Sequence, residues 1–333
     1  MAKKKSNTGD KVVGIDLGGT KILAAVVDAE GRILGQAKRK TKAEVGVEGV
    51  VARIVETLDD AVASAKMTRQ DIRAIGVGAP GPVDTKTGVI ATAPNLPGWS
   101  DVPLGELLQA QTGITVAVGN DVNVGALGEF AYGAGRGTSD MISIFVGTGV
   151  GGGIILDGRL HAGVRGAAGE IGHMIVLADG PYCGCGNRGC IEALASRTAI
   201  VESLQRAVAA GRQSSLASLL SDGGSRLSSG GLAEAWRAGD TLTVEVLGRV
   251  QHYLGLHVAS LVNFLDPEVI VFGGGVIEAL GEAFVAPIRP IAYQHFLQRR
   301  DAERVQILVS QLGDHAGILG AAVLARQCVE QTG

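Results

Sequence analysis

No stretch of the sequence reaches the roughly 18 uncharged apolar residues of a membrane-spanning helix. A surplus of basic charge is also lacking. Thirty Lys and Arg stand against 33 Asp and Glu, a formal net charge of −3. Such a chain has no basic field for gripping phosphate backbones, which argues against a dedicated nucleic-acid binder. Aromatic residues make up only 4% and cysteines number four. The basic start Met1-Ala2-Lys3-Lys4-Lys5 is followed by no apolar segment of signal-peptide type. A short disordered tail over 1–9 on a cytoplasmic protein is therefore expected. What is present is an apolar body: 46% hydrophobic against 19% charged, which excludes disorder for most of the chain. Glycine is the outlier, 51 of 333 residues, roughly twice the usual share. That suggests many tight turns and close backbone approaches to a ligand.

Val12–Asp16 reads as a short apolar strand, broken by Gly18-Gly19-Thr20-Lys21 and resumed by Ile22–Val27. Asp28-Ala29-Glu30-Gly31 then turns into a third strand, an antiparallel meander. Val51, Ile54, Val55, Leu58, Val62 and Ala65 share one face of a helix. Strands are predicted over 72–77 and 115–118, with a helix near 122–130. A second half repeats the first. Met141–Val146 is a strand, Gly147-Thr148-Gly149-Val150-Gly151-Gly152-Gly153 a glycine turn, and Ile154–Leu156 runs into the Asp157-Gly158 hairpin. This duplication is the main organisational clue. Residues 193–265 read as mostly helical, interrupted by a Gly/Ser-rich segment at 223–231. A strand over 269–272 stops at Gly273-Gly274-Gly275, and a last strand (304–310) and helix (316–327) follow. Alternating strands and helices imply an α/β chain in two halves.

Gly14–Lys21 is not a P-loop, because Lys21 follows Thr20 and not the second glycine. Gly147–Gly152 fits G-x-G-x-x-G, but a dinucleotide loop opens a helix and this one opens a hairpin. Paired glycine turns still expose backbone N–H groups, and two could face one polyphosphate. Asp16, at a strand end beside such a turn, is either a turn residue or a carboxylate for Mg²⁺ or its water shell. Asn120-Asp121 follows a strand and precedes a helix. Capping is one reading, general-base catalysis by Asp121 the other. His173, Cys183, Cys185 and Cys190 make a Cys₃His set, at C-x-C-x4-C spacing, for a structural Zn²⁺. Cys328 is expected to be a buried helix cysteine. His161, His252, His257, His295 and His315 read as surface or packing residues.

The chain resembles the ROK family of sugar kinases and repressors, nearest its bacterial glucokinase branch, from about Val12 to Ala325. The resemblance rests on Asp16-Leu17-Gly18-Gly19-Thr20-Lys21, Gly78-Ala79-Pro80-Gly81-Pro82-Val83-Asp84, Ala93-Pro94-Asn95-Leu96-Pro97-Gly98-Trp99, Asn120-Asp121-Val122-Asn123, Gly147–Gly153, Glu170-Ile171-Gly172-His173 and the cysteine cluster ending in Glu192. It implies an α/β, two-domain actin-like ATPase (ribonuclease H-like) fold with a duplicated β-meander core and a ligand cleft. Residues 10–133 and 313–330 would form the smaller domain, and 134–312 the larger one with the zinc loop. It implies ATP with Mg²⁺ as phosphoryl donor, with Asp16, Gly18, Gly19, Thr20, Lys21, Gly147, Thr148, Gly149, Gly151 and Gly152 at the phosphates. Gly273, Gly274 and Gly275 would lie near adenosine. By the same likeness Asp121 is the base for a sugar 6-hydroxyl. Gly81, Asn95, Asn120, Asp121, Glu170, His173 and Glu192 would hold glucose. A homodimer or homotetramer is expected.

Two other readings compete. A transcriptional repressor of the same family would carry an added helix-turn-helix, for which the eleven residues before the first strand look too few. A non-catalytic sensor would not need Asp121 and both phosphate turns. Among kinases, N-acetylmannosamine, N-acetylglucosamine, fructose and mannose are alternative acceptors.

Overall fold

A computed structural model describes residues 10–93, 95–221 and 227–332. The expected tail over 1–9 and the stretch 222–226 of the Gly/Ser-rich segment lie outside the described residues. The chain divides into two compact units. One contains the chain up to Gly137, Leu160–Ala168 and the segment from Asp314 onward. The other contains Thr138–Arg159 and Gly169–Gly313.

The first unit opens with the meander β1 (Val12–Leu17), β2 (Lys21–Val27) and β3 (Ile33–Lys40). Then come α1 (Gly46–Ser64), β4 (Ala74–Ala79), β5 (Val83–Asp84), β6 (Val89–Thr92), β7 (Ser100–Val102), α2 (Leu104–Thr112), β8 (Thr115–Asn120) and α3 (Asp121–Tyr132). In the second unit β9 (Met141–Val146) and β10 (Val150–Leu156), followed by β11 (Arg159–Leu160) at the unit boundary, precede α4 (Glu192–Ala195), α5 (Arg197–Ala209), α6 (Ala217–Ser221), α7 (Ser229–Arg237) and α8 (Thr241–Leu265). β12 (Val269–Gly273), α9 (Gly275–Leu280), α10 (Glu282–Val285), α11 (Ile288–His295) and β13 (Gln306–Val309) complete it, and α12 (Ala316–Thr332) ends the chain.

Two five-stranded sheets share one topology. The first runs β3-β2-β1-β4-β8 and the second β11-β10-β9-β12-β13. In each, an antiparallel meander is extended by two parallel strands. The repeat legible in 12–32 and 141–160 therefore extends to two whole sheets. β4 is buried along its length, as a strand covered on both faces must be. β3, at the edge, alternates and carries Lys38 and Lys40 outward, which blunts the edge. α1 turns Val51, Ile54, Leu58 and Val62 into the core, each burial contributing roughly 1.5–3 kcal/mol. Val55 and Ala65, expected on that face, are only half-buried, while Ala61 and Thr57 are buried beside them.

The strand predicted over 72–77 lies at 74–79, two residues later. Gly151–Gly153 are not part of a turn: they belong to β10 and pair with Phe145, Ile144 and Ser143. The segment Leu160–Ala168, expected with the larger domain, groups with the first unit. There Leu160 and Ala162 line a hollow of about 810 Å³ with α2 and the end of α12. Cys328, expected to be buried, is half-buried on α12 at that hollow.

α12 lies against β1, β4 and α3, and glycines make this approach possible. A Cβ on Gly14 would stand 1.9 Å from the Ile318 carbonyl oxygen, and one on Gly76 1.8 Å from that of Ala321. Arg326 fastens the same helix, donating to Tyr132 Oη at 2.8 Å and to the carbonyls of Val27 and Asp28. Packing α12 on the sheet and on α3 fixes the base of both β1 and α3, which carry Asp16 and Asp121.

Candidate active site and metal centre

In the first unit the chain places Asp16 near the end of β1 and Asp121 at the start of α3. β1 and β8 both flank β4, so their C-terminal ends are neighbours. Burial pushes the Asp16 carboxyl up, Lys21 pulls it down and Asp314 raises it again. Burial, and then the Asp16 charge, push Asp121 up to about 6. The Val122 amide, donating to Asp121 Oδ1 at 2.9 Å, acts in the opposite direction. Two carboxylates brought together resist joint ionisation unless a cation joins them. Asp16 accepts no hydrogen bond among the described residues, so its oxygens are available to a hard cation. That donor chemistry fits hydrated Mg²⁺.

Asn120 caps α3: Oδ1 accepts from Val122 at 3.1 Å and Asn123 at 3.2 Å. Its Nδ2 donates to the Gly81 carbonyl at 3.0 Å. Gly81 has φ +87°, and a Cβ there would stand 1.9 Å from the Thr92 carbonyl oxygen, so only glycine fits. The capping reading of Asn120 thus holds, and the cap also ties Gly81 to α3. Asn95 is exposed and packs beside Gly19. The turn Gly18-Gly19-Thr20 joins β1 to β2, closed by Gly18 N–H donating to the Lys21 carbonyl at 2.9 Å. Lys21 itself pairs with Asp314, Nζ to Oδ1 at 2.9 Å, which holds Asp314 below the usual carboxylate range.

The second unit has a turn of the same length, Gly147-Thr148-Gly149, between β9 and β10. Gly147 N–H donates to the Gly149 carbonyl at 2.9 Å. Glu192 supports it from below, Oε2 accepting from Val150 N–H at 3.0 Å. Gly151 and Gly152 lie beyond the turn, within β10. Gly273 and Gly274 end β12 against β9, where a Cβ would meet the Phe145 ring and the Val146 backbone. Gly275 opens α9 and has room around it. Glu170 is exposed and precedes the short helical turn Ile171–His173.

His173, Cys183, Cys185 and Cys190 converge, their ligand atoms all within 4.8 Å of one another. Cys183 Sγ lies 3.6 Å from His173 Nδ1, and Cys185 Sγ 3.7 Å from Cys190 Sγ. A tetrahedron with sulfur bonds of about 2.3 Å has edges of about 3.8 Å, so the set fits Zn²⁺. Four protein donors leave no open position, which makes such a zinc structural. Burial pushes the Cys183 thiol up to about 12 and raises Cys190, while the Asn187 amide lowers Cys185. A bound dication would override this burial, since it deprotonates the thiols that ligate it. With Nδ1 turned to the cluster, His173 keeps Nε2 for another partner.

Three groups escaped sequence reasoning. Asp314, which pairs with Lys21, lies 293 residues away in the chain. Arg197 and Thr198 grip the second turn: Arg197 Nη2 donates to Thr148 Oγ1 at 3.2 Å, and Thr198 Oγ1 to the Thr148 carbonyl at 2.8 Å. The one local signal was Ser196, whose Oγ caps α5 at Ala199 N–H (3.1 Å) and so marks where these side chains start.

The duplicated sheets and paired glycine turns define the actin-like ATPase fold, which the ROK sugar kinases have. The ROK family profile matches residues 12–328, and the chain belongs to the ROK family. It is 35% identical to a glucokinase of Thermotoga maritima, over 95% of this chain and 98% of that one. The structure of a ROK hexokinase from Thermus thermophilus superposes with a TM-score of 0.81, at 37% identity over 96% and 99% of the two chains. A ROK family glucokinase from Streptomyces griseus, in complex with glucose and AMPPNP, gives 0.77 at 39% identity over 95% and 99%. A xylose repressor of Caldicellulosiruptor bescii is 30% identical over 94% of this chain and 77% of its own. Among the described residues no helix is long and apolar enough to cross a membrane.

Proposed function

We propose that the protein is a glucokinase, transferring the γ-phosphoryl group of ATP to the 6-hydroxyl of glucose to give glucose 6-phosphate. The observation that carries this reading is the Asp121 carboxyl, raised to about 6 at the head of α3. A general base serves best with a pKa near the working pH. Asp121 accepts the hydroxyl proton, and α3 and its Asn120 cap keep the carboxylate in place.

Phosphoryl transfer otherwise asks for positioning and charge neutralisation. Asp16 is the residue that would hold Mg²⁺ through its water shell, and the ion supplies neutralisation of the phosphate oxygens. The amides of Gly19, Thr20, Thr148 and Gly149 point donors at the phosphates, and Gly275 leaves room beside adenosine. Gly81, Asn95, Asn120, Glu170, His173 and Glu192 hold the remaining hydroxyls. Ionised Glu170 and Glu192 suit this, since carboxylates make short, charge-assisted bonds to hydroxyl donors. His173 serves through Nε2 while its Nδ1 and the three thiolates would hold Zn²⁺, which stiffens 173–192. The likeness to glucokinases over nearly the whole chain supports glucose as acceptor. The same reading makes it a cytoplasmic homodimer or homotetramer, which sedimentation reads.

A coupled ADP-release assay with Mg-ATP tests it across glucose, mannose, fructose, N-acetylglucosamine and N-acetylmannosamine. Glucose is expected to lead by tenfold or more in kcat/KM. Preference for an N-acetylhexosamine overturns the glucose assignment but keeps Asp121 as base. No turnover of any sugar by folded, zinc-loaded protein points to a sensor, the role suggested by the repressor relative.

A further inference from the structure

We infer that Arg197, at the start of α5, is the cation that the second glycine turn presents to the phosphate groups of the nucleotide. The inference rests on the ATP-dependent reading above.

Arg197 is locked to the turn from two directions. Its backbone N–H donates to the Gly147 carbonyl at 2.9 Å, and its guanidinium donates to Thr148 Oγ1 at 3.2 Å. Thr198 adds a bond to the Thr148 carbonyl, and the Ser196 cap fixes the first turn of α5 beneath them. The bond to Thr148 is the guanidinium's one side-chain hydrogen bond among the described residues. A guanidinium carries five N–H donors in a planar fork suited to phosphate oxygens, so most of them are open to a ligand. Elsewhere arginines lie against carboxylates, as Arg39, Arg69, Arg212 and Arg289 do. Arg197 has no such partner among the described residues.

Charge makes the same point. The turn offers the Thr148 and Gly149 amides, which meet no protein acceptor among the described residues. Yet the Glu192 carboxylate sits on the adjacent Val150 amide, and a Cβ on Gly149 would come within 2.4 Å of its Oε2. Without a counter-charge this turn would repel an anion. Arg197 supplies that charge, and the N-terminus of α5 adds to it. In the first turn the lysine, Lys21, already pairs with Asp314.

The test uses the full-length protein and its variants Arg197→Ala and Arg197→Lys. Calorimetry measures the binding of ATP, ADP and adenosine, and glucose affinity and Tm serve as controls. Arg197→Ala is expected to weaken ATP at least tenfold, ADP less, and adenosine less than twofold. Glucose affinity and Tm are expected to hold within twofold and about 2 °C. Arg197→Lys should recover part of the loss, since it keeps the charge but not the fork. Equal losses for adenosine and ATP would make Arg197 a mere strut of the turn and overturn the inference. Unchanged ATP affinity in Arg197→Ala would overturn it outright while leaving the kinase reading intact. Failure of the wild-type protein to bind ATP would remove both.

Discussion

Glu192 accepts the Val150 amide at 3.0 Å through one carboxylate oxygen, and its other oxygen lies 3.6 Å from the Cys183 sulfur. One side chain therefore touches both the glycine turn and the metal-binding cluster. Cys190 of the cluster stands two residues before Glu192, the first residue of α4.

Replacing Glu192 by Ala should leave the Val150 N–H without its partner, at a cost of about 1–3 kcal/mol. Because Glu192 is also a proposed sugar ligand, KM for glucose should rise at least tenfold, with zinc content unchanged. Calorimetric sugar affinity beside metal analysis checks this. Wild-type glucose affinity in the variant would remove Glu192 from the sugar site.

Asp121→Ala should lower kcat by at least about 10²-fold, the lower range for a general base, while glucose still binds. In the wild-type protein kcat should fall as pH drops through about 6, where Asp121 takes up its proton. A pH profile flat from 5 to 8 would show that another group accepts the proton.

Two desolvated groups should tilt stability with pH in opposite senses. The Asp121 pKa is raised from 3.8 to about 6, so the folded state prefers the protonated form. Its contribution is complete below 3.8 and lost as pH rises through 6. His257, buried on α8 with neither ring nitrogen hydrogen-bonded, is lowered from 6.5 to about 4 by burial alone. Its contribution is present above 6.5 and lost as pH falls through 4. At about 1.4 kcal/mol per pKa unit, each is worth roughly 3 kcal/mol. Asp121→Asn should therefore raise Tm at pH 8 but not at pH 3.5. His257→Leu should raise Tm at pH 4.5 by more than at pH 8. Thermal melts across pH 3.5–8 read both, and a uniform shift at every pH would contradict the assignment.

Zinc should be present at about one ion per chain, since the four donors form a closed tetrahedral set. Cys190→Ser should abolish that stoichiometry and lower Tm, because Cys190 is wholly buried. Chelation of wild-type protein should loosen 173–192 and raise KM for glucose. Amide exchange confined to that segment checks the first effect, and unchanged sugar affinity in verified zinc-free protein would refute the second.

Gly14→Ala should be among the most damaging small substitutions, because the new Cβ would overlap the Ile318 carbonyl oxygen at 1.9 Å. The neighbour is helix backbone and gives little, so a loss of about 3 kcal/mol or more is expected, in the range of severe overpacking. Urea midpoints measure it. A cost under about 0.5 kcal/mol, that of an ordinary surface change, would mean that α12 can move off the sheet.

What the sequence by itself determined is local. Strand and turn alternation disclosed the duplicated meander, because β-periodicity and Asp-Gly hairpins are properties of a few adjacent residues. The face of α1 was legible for the same reason. The metal cluster was legible because three of its four ligands fall within eight residues, Cys183 to Cys190. Even here the local signal had limits: Gly151–Gly153 read as turn and became strand, because pairing with β9 overrode the glycine preference.

Only the tertiary structure decided which groups work together. Lys21 meets Asp314 because α12 returns to the first sheet. Asp121 acquires its raised pKa first from burial and then from the Asp16 charge, which the shared neighbour β4 of β1 and β8 brings to the same end of the sheet. Arg197 reaches Thr148 because α5 starts beneath the second turn. Charge coupling, desolvation and close backbone approach depend on distances between residues far apart in the chain. Those distances exist only once the core has packed.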